Sequence, residues 1–86
     1  MPYEKLTQMH SCIIVGARQT AKAIKKREVK EIYVATDADQ KITDEIIALA
    51  EAYDVPYQEV DSMKDLGTAC GIEVGTSTAA IRQVET

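Results

Sequence analysis

The stretch EIYVATDADQKITDEIIALAEAYDVPYQEV, Glu31 to Val60, decides the fold. It opens on Ile32-Tyr33-Val34-Ala35, an apolar, strand-sized run. Glu31 to Thr36 therefore reads as a strand covered on both faces. Asp37-Ala38-Asp39-Gln40 follows as a turn with capping residues. Ile42, Ile46, Leu49, Ala50 and Tyr53 then recur at helical spacing, up to a stop before Pro56. Tyr57 to Val60 reads as a short strand. A strand, a helix and a strand in this order predict a right-handed parallel crossover.

Working outward, Ala17 to Arg27 contains strong helix formers and neither Pro nor Gly, which predicts a helix. Its apolar face is Ala17, Ala21 and Ile24, and Arg18, Lys22, Lys25 and Lys26 form another. Ser11 to Val15 predicts a buried strand ended by Gly16, and Tyr3 to Met9 a short helix with Leu6 and Met9 inward. Downstream, Asp61-Ser62 starts a helix whose buried side is Leu66, Ala69 and Cys70, with Gly71 as a left-handed cap. Ile72 to Gly75 is a loop, and Thr76 to Val84 a last strand rich in small residues. The order α-β-α-β-α-β-α-β favours one central sheet with helices on both faces.

A chain of 86 residues is expected to form one domain, residues 1–86, around one core. Hydrophobic residues at 45% and charged residues at 28% are globular values, which argues against disorder. No apolar run approaches the ~20 residues of a membrane span. The segment Met1 to Lys5 has no apolar stretch of signal-peptide type, so a cytoplasmic location is expected. Cys12 and Cys70 form no C-x-x-C pair and read as reduced thiols. The single histidine, His10, has no catalytic company nearby, and neither cofactor nor metal is expected.

Net charge is −4, yet its distribution is uneven. Arg18, Lys22, Lys25, Lys26, Arg27 and Lys30 place six of the ten cations within thirteen residues. From Asp37 to Glu73 acidic residues dominate, opposed only by Lys41 and Lys64. Screening over roughly 8–10 Å at physiological salt lets a basic face attract an anion on an acidic molecule.

Three places can carry chemistry. Gly16 directly before the basic helix permits close approach to first-turn N–H groups that suit a phosphate. Arg18 in that turn opposes the helix dipole unless an anion sits there; a solvated charged face is the alternative. Asp37 and Asp39, at a strand's carboxyl end, either hold Mg²⁺ beside a phosphate or cap the turn and the next helix. Ile72, Glu73 and Val74 either tuck into the core or form an exposed wedge for a partner or an unstacked base. Glycine-rich nucleotide loops of the standard types are missing from the sequence. With no Phe or Trp, a base-stacking sheet of the RNA-recognition-motif type is poorly supported.

The run Val15-Gly16-Ala17-Arg18-Gln19-Thr20-Ala21-Lys22-Ala23-Ile24 resembles the recognition segment of the kink-turn-binding ribosomal protein family, large-subunit proteins L-seven-Ae and L-thirty-e. In archaeal members it reads G-x-N-E-x-x-K. Gly16 and Lys22 match, while Arg18 and Gln19 stand where that pattern has Asn and Glu, as in the small bacterial branch. Asp37-Ala38-Asp39, Val55-Pro56-Tyr57, Lys64-Asp65-Leu66-Gly67, Cys70-Gly71-Ile72 and Ala79-Ala80-Ile81 follow in the family's order. The resemblance spans about Tyr3 to Arg82.

It implies a three-layer α-β-α sandwich around a four-stranded mixed sheet. The implied partner is structured RNA containing a kink-turn, in ribosomal RNA, a riboswitch or another non-coding RNA. It is bound by a monomer, without DNA, membrane or cofactor, and without enzymatic activity. The implied RNA-binding residues are Gly16, Ala17, Arg18, Gln19, Lys22, Lys25, Lys26, Ile72, Glu73 and Val74. Two other classes stay open: a protein-interaction module of the same fold using its acidic face, and a Mg²⁺-dependent phosphate enzyme using Asp37 and Asp39.

Overall fold

In a computed structural model, residues 12–83 are described. The helix expected at Tyr3 to Met9 lies outside them, as do His10, Ser11 and Val84. Strands and helices alternate as β1 (Ile13–Val15), α1 (Ala17–Lys25), β2 (Val29–Ala35), α2 (Gln40–Ala52), β3 (Tyr57–Val60), α3 (Met63–Ala69) and β4 (Thr78–Arg82). The sheet order is β1-β4-β2-β3. β2 and β3 run parallel, with Ile32 opposite Tyr57. β4 enters between β1 and β2, antiparallel to both. The sheet is therefore mixed and four-stranded, as expected.

Alternation along β2 creates the layers, because successive side chains leave opposite faces of a strand. Ile32 and Val34 join Ile24 of α1 and Ile46 and Ala50 of α2 in one core. Tyr33 and Ala35 join Leu66 of α3 and Cys70 in the other. β4 repeats the division: Ala80 belongs to the first core, Ala79 and Ile81 to the second. In the second layer the Glu31 carboxylate accepts from the Tyr33 hydroxyl at 3.3 Å and from the Gln58 amide at 2.6 Å. Burial, with the Glu31 charge and hydrogen bond added, pushes the Tyr33 phenol up to about 12. Burial alone lifts the Cys70 thiol to about 11, in keeping with an inert core thiol.

Several boundaries and one side chain differ from expectation, β1 among them, which begins at Ile13, past Cys12. α1 stops at Lys25 because Arg27 turns left-handed, with φ 59°. The Arg27 N–H reaches the Ile24 carbonyl and the Glu28 N–H reaches that of Ala23. Asp54 (φ 57°) and Gly71 (φ 82°) end α2 and α3 by the same hydrogen-bond pattern. Only the glycine announced itself, since Arg carries no turn signal. β2 begins at Val29, ahead of Glu31, and β4 is narrower than Thr76 to Val84. Thr76 is held by the α3 start, its N–H bonded to the Met63 carbonyl at 3.1 Å. Ile42, expected inward, is 39% exposed, whereas Thr43 is buried. The register of α2 on the sheet follows Thr43, Ile46 and Ala50.

Candidate nucleic-acid interface

The parallel pair β2 and β3 and the antiparallel β4 bring the carboxyl ends of β1, β2 and β3 to one end of the sheet. The three helices of the described residues all start there. Their starts are treated differently. The Asp39 carboxylate accepts from the Lys41 N–H at 2.9 Å and caps α2. The Ser62 hydroxyl accepts from the Asp65 N–H at 3.2 Å and caps α3. Asp37 adds a second acceptor at α3, taking the Met63 N–H at 2.8 Å. α1 has neither a side-chain cap nor an acidic residue in its first turn. Its cap position is Gly16, whose φ of 99° requires glycine, and among the described residues a Cβ there would meet nothing within 4 Å.

The first-turn N–H groups of α1 thus lack an intrahelical acceptor and lie beside an open glycine. Arg18 and Gln19 are exposed at this turn, and Lys22 is exposed one turn further. Ala17 packs its side chain against the first core, leaving backbone as its contribution. Lys25 closes the helix and Lys26 caps it, where cations favour the dipole. At 1.5 Å per residue they stand about 13–15 Å along the axis from Gly16. Arg18, Lys22 and Lys25 border a groove against Ile42, Glu45 and Leu49 of α2. At about 100° per residue, Gln19 and Lys26 fall on the other flank of the exposed face.

The loop after Gly71 reaches the same end. Its Ile72 N–H bonds the Gly67 carbonyl at 3.1 Å, and the Thr76 N–H bonds Met63. Between these points Ile72 is half-buried, Glu73 is exposed and Val74 is 72% exposed. Val74 is therefore the protruding apolar residue, while Ile72 is partly covered. The loop and α1 meet at one atom. The Thr78 carbonyl accepts from the Gly16 N–H at 2.9 Å and from the Thr76 hydroxyl at 2.9 Å. Thr76, Thr78 and Gly67 position this site and were not singled out from sequence. Their signal there is ordinary polarity or smallness, and their role depends on neighbours distant in the chain.

Asp39 caps the next helix, α2, as the structural reading had it, whereas Asp37 departs from that reading and accepts from the start of α3 instead. Asp37 and Asp39 serve the starts of different helices. Among the described residues no group of three His, Cys, Asp or Glu side chains is placed to hold a metal ion. Nothing in this geometry supports a Mg²⁺ site built on the two carboxylates.

Residues 2–86 match the ribosomal protein L7Ae/L30e/S12e/Gadd45 family. A Bacillus pumilus protein named "RNA-binding protein" is 52% identical over 81 residues, covering 94% of this chain and 98% of that one. RNA-binding protein YbxF of Geobacillus stearothermophilus is 46% identical over 81 residues, with the same coverage of both chains. Among solved structures, the Giardia lamblia 15.5kD RNA binding protein superposes with a TM-score of 0.86 at 28% identity, covering 93% of this chain and 69% of that one. The chain belongs to the L7Ae/L30e/S12e/Gadd45 family.

Proposed function

We propose that this family member is an RNA-binding protein that recognises kink-turns, acting as a monomer in the cytoplasm and without catalysis. One observation carries the reading. The uncapped, acid-free start of α1 is joined through Gly16 and Thr78 to a loop that exposes Val74. A helix start of this kind attracts phosphate and other electronegative groups. Sheared G·A pairs open the groove and present guanine O6 and N7, acceptors that suit the exposed Lys22 and Arg18. Gln19 both donates and accepts, so it can satisfy a base edge with mixed groups. Val74 offers an apolar contact to an unstacked bulge nucleotide, which accounts for base binding without aromatic side chains. Lys25 and Lys26, further along α1, suit stem phosphates. The names of the related proteins support RNA as the ligand.

The test is a gel shift with a kink-turn RNA and with a control whose tandem G·A pairs are replaced by Watson–Crick pairs. Preferential 1:1 binding to the kink-turn is expected. Equal affinity for both RNAs would overturn the reading.

A further inference from the structure

Gly67 sits in the middle of α3, where glycine weakens a helix relative to alanine. Its backbone does not call for glycine, since the positive-φ glycines are Gly16 and Gly71. Space does. A Cβ at Gly67 would fall onto the Val74 carbonyl oxygen, with the Val74 carbonyl carbon and the Gly75 Cα each 3.0 Å away. All three are backbone atoms, so no side chain can swing aside to make room. We propose that Gly67 is a positioning residue for RNA recognition. Its missing side chain seats the Val74 peptide on α3 and thereby sets where Val74 meets an unstacked base. The proposal rests on the kink-turn reading of the 72–75 loop.

The loop is held on both sides of that seat. Ile72 is bonded back to Gly67, and Thr76 to Met63. Gly75 is also pressed on α3, where an added Cβ would lie 3.1 Å from the Met63 carbonyl. A side chain at position 67 must therefore displace the short exposed segment Glu73-Val74. The platform itself is tied to the sheet. Asp37, just past β2, takes the Met63 N–H at 2.8 Å, and the Ala35 N–H reaches the Ser77 carbonyl at 2.9 Å. α3, the loop and the end of β2 thus form one braced unit, and Gly67 and Asp37 are its two adjustable points.

The experiment compares a kink-turn RNA with the same RNA made abasic at its bulged nucleotide. Wild type is expected to prefer the intact RNA about tenfold, the worth of one well-buried apolar contact. Gly67→Ala is expected to bind both RNAs equally, with the affinity of wild type for the abasic one. Full retention of the preference, or equal loss on both RNAs, would overturn the proposal. Thermal unfolding and amide NMR spectra establish that the variant is folded. Should it not fold, Asp37→Ala serves instead: it should lose the preference, and Asp37→Asn, which keeps an oxygen acceptor for Met63, should restore it. Wild-type preference in Asp37→Ala overturns the proposal equally. Wild type that cannot tell the kink-turn from its Watson–Crick control overturns this proposal and the function together. Wild type that does tell the kink-turn from that control, with Gly67→Ala preferring the intact RNA over the abasic one as strongly as wild type, overturns this one alone.

Discussion

Gly16 donates its backbone N–H to the Thr78 carbonyl at 2.9 Å, so the start of α1 and the loop before β4 form two sides of one surface. The φ of 99° at Gly16 makes that bond and the helix start compatible. Gly16→Ala has room for its methyl group and no comfortable backbone. It should lower stability by about 1–2 kcal/mol, measured by urea unfolding. Unchanged stability would show that the turn relaxes freely.

Lys22→Ala and Gln19→Ala should each reduce the preference for a kink-turn over a Watson–Crick control, by about 1–3 kcal/mol per good base contact. Lys25→Ala and Lys26→Ala should weaken binding to all RNAs alike, because they stand further along α1 where phosphates are the neighbours. Titrations of the four variants on both RNAs decide this. Selective loss from Lys26→Ala with none from Lys22→Ala reverses the assignment.

Salt separates shape reading from charge attraction. α1 shows one face at a time, so about three or four of its cations can meet phosphates together. The slope of log affinity against log salt should be roughly −2 to −4. The acidic stretch from Asp37 to Glu73 keeps additional RNA away. Preference for the kink-turn should persist as salt rises; its disappearance near physiological salt would mark a generic anion patch.

Stability should decline above pH 9. Both Cys70 and Tyr33 have folded pKa values raised above their ordinary ones, so their contribution is complete below the ordinary value and lost as pH climbs to the folded one. The window runs from 9.0 to about 11 for Cys70 and from 10.0 to about 12 for Tyr33. Denaturation midpoints across pH 8–12 should show the loss. Cys70→Ala should flatten its lower part and Tyr33→Phe its upper part.

The Arg27 guanidinium lies over the Tyr53 ring, 5.2 Å from its centroid, on a residue of φ 59°. Arg27→Ala keeps the backbone strain and loses the contact, at a cost of about 0.5–1 kcal/mol. Arg27→Gly loses the same contact and relieves the strain of about 1 kcal/mol. Glycine should therefore be the better tolerated of the two. Thermal melts that rank alanine above glycine would show that the turn carries no strain.

Much of this protein is settled by interactions between near neighbours in the chain, and those were legible in the sequence. The uninterrupted apolar run Ile32 to Ala35 has no polar face, so it had to be covered on both sides. Ser62 and Gly71 announce the two ends of α3 because capping acts within three or four residues. The cations of α1 share an exposed side because the helix repeats every 3.6 residues. Tertiary structure alone decided that β4 lies between β1 and β2, which brings Thr78 to Gly16 and places the loop beside α1. It also decided that Asp37 serves Met63, 26 residues away, and that Gly67 makes room for Val74. Local hydrogen bonding and periodicity extend over a few residues, whereas these partners meet only once the sheet has ordered its strands and the helices have packed on both faces.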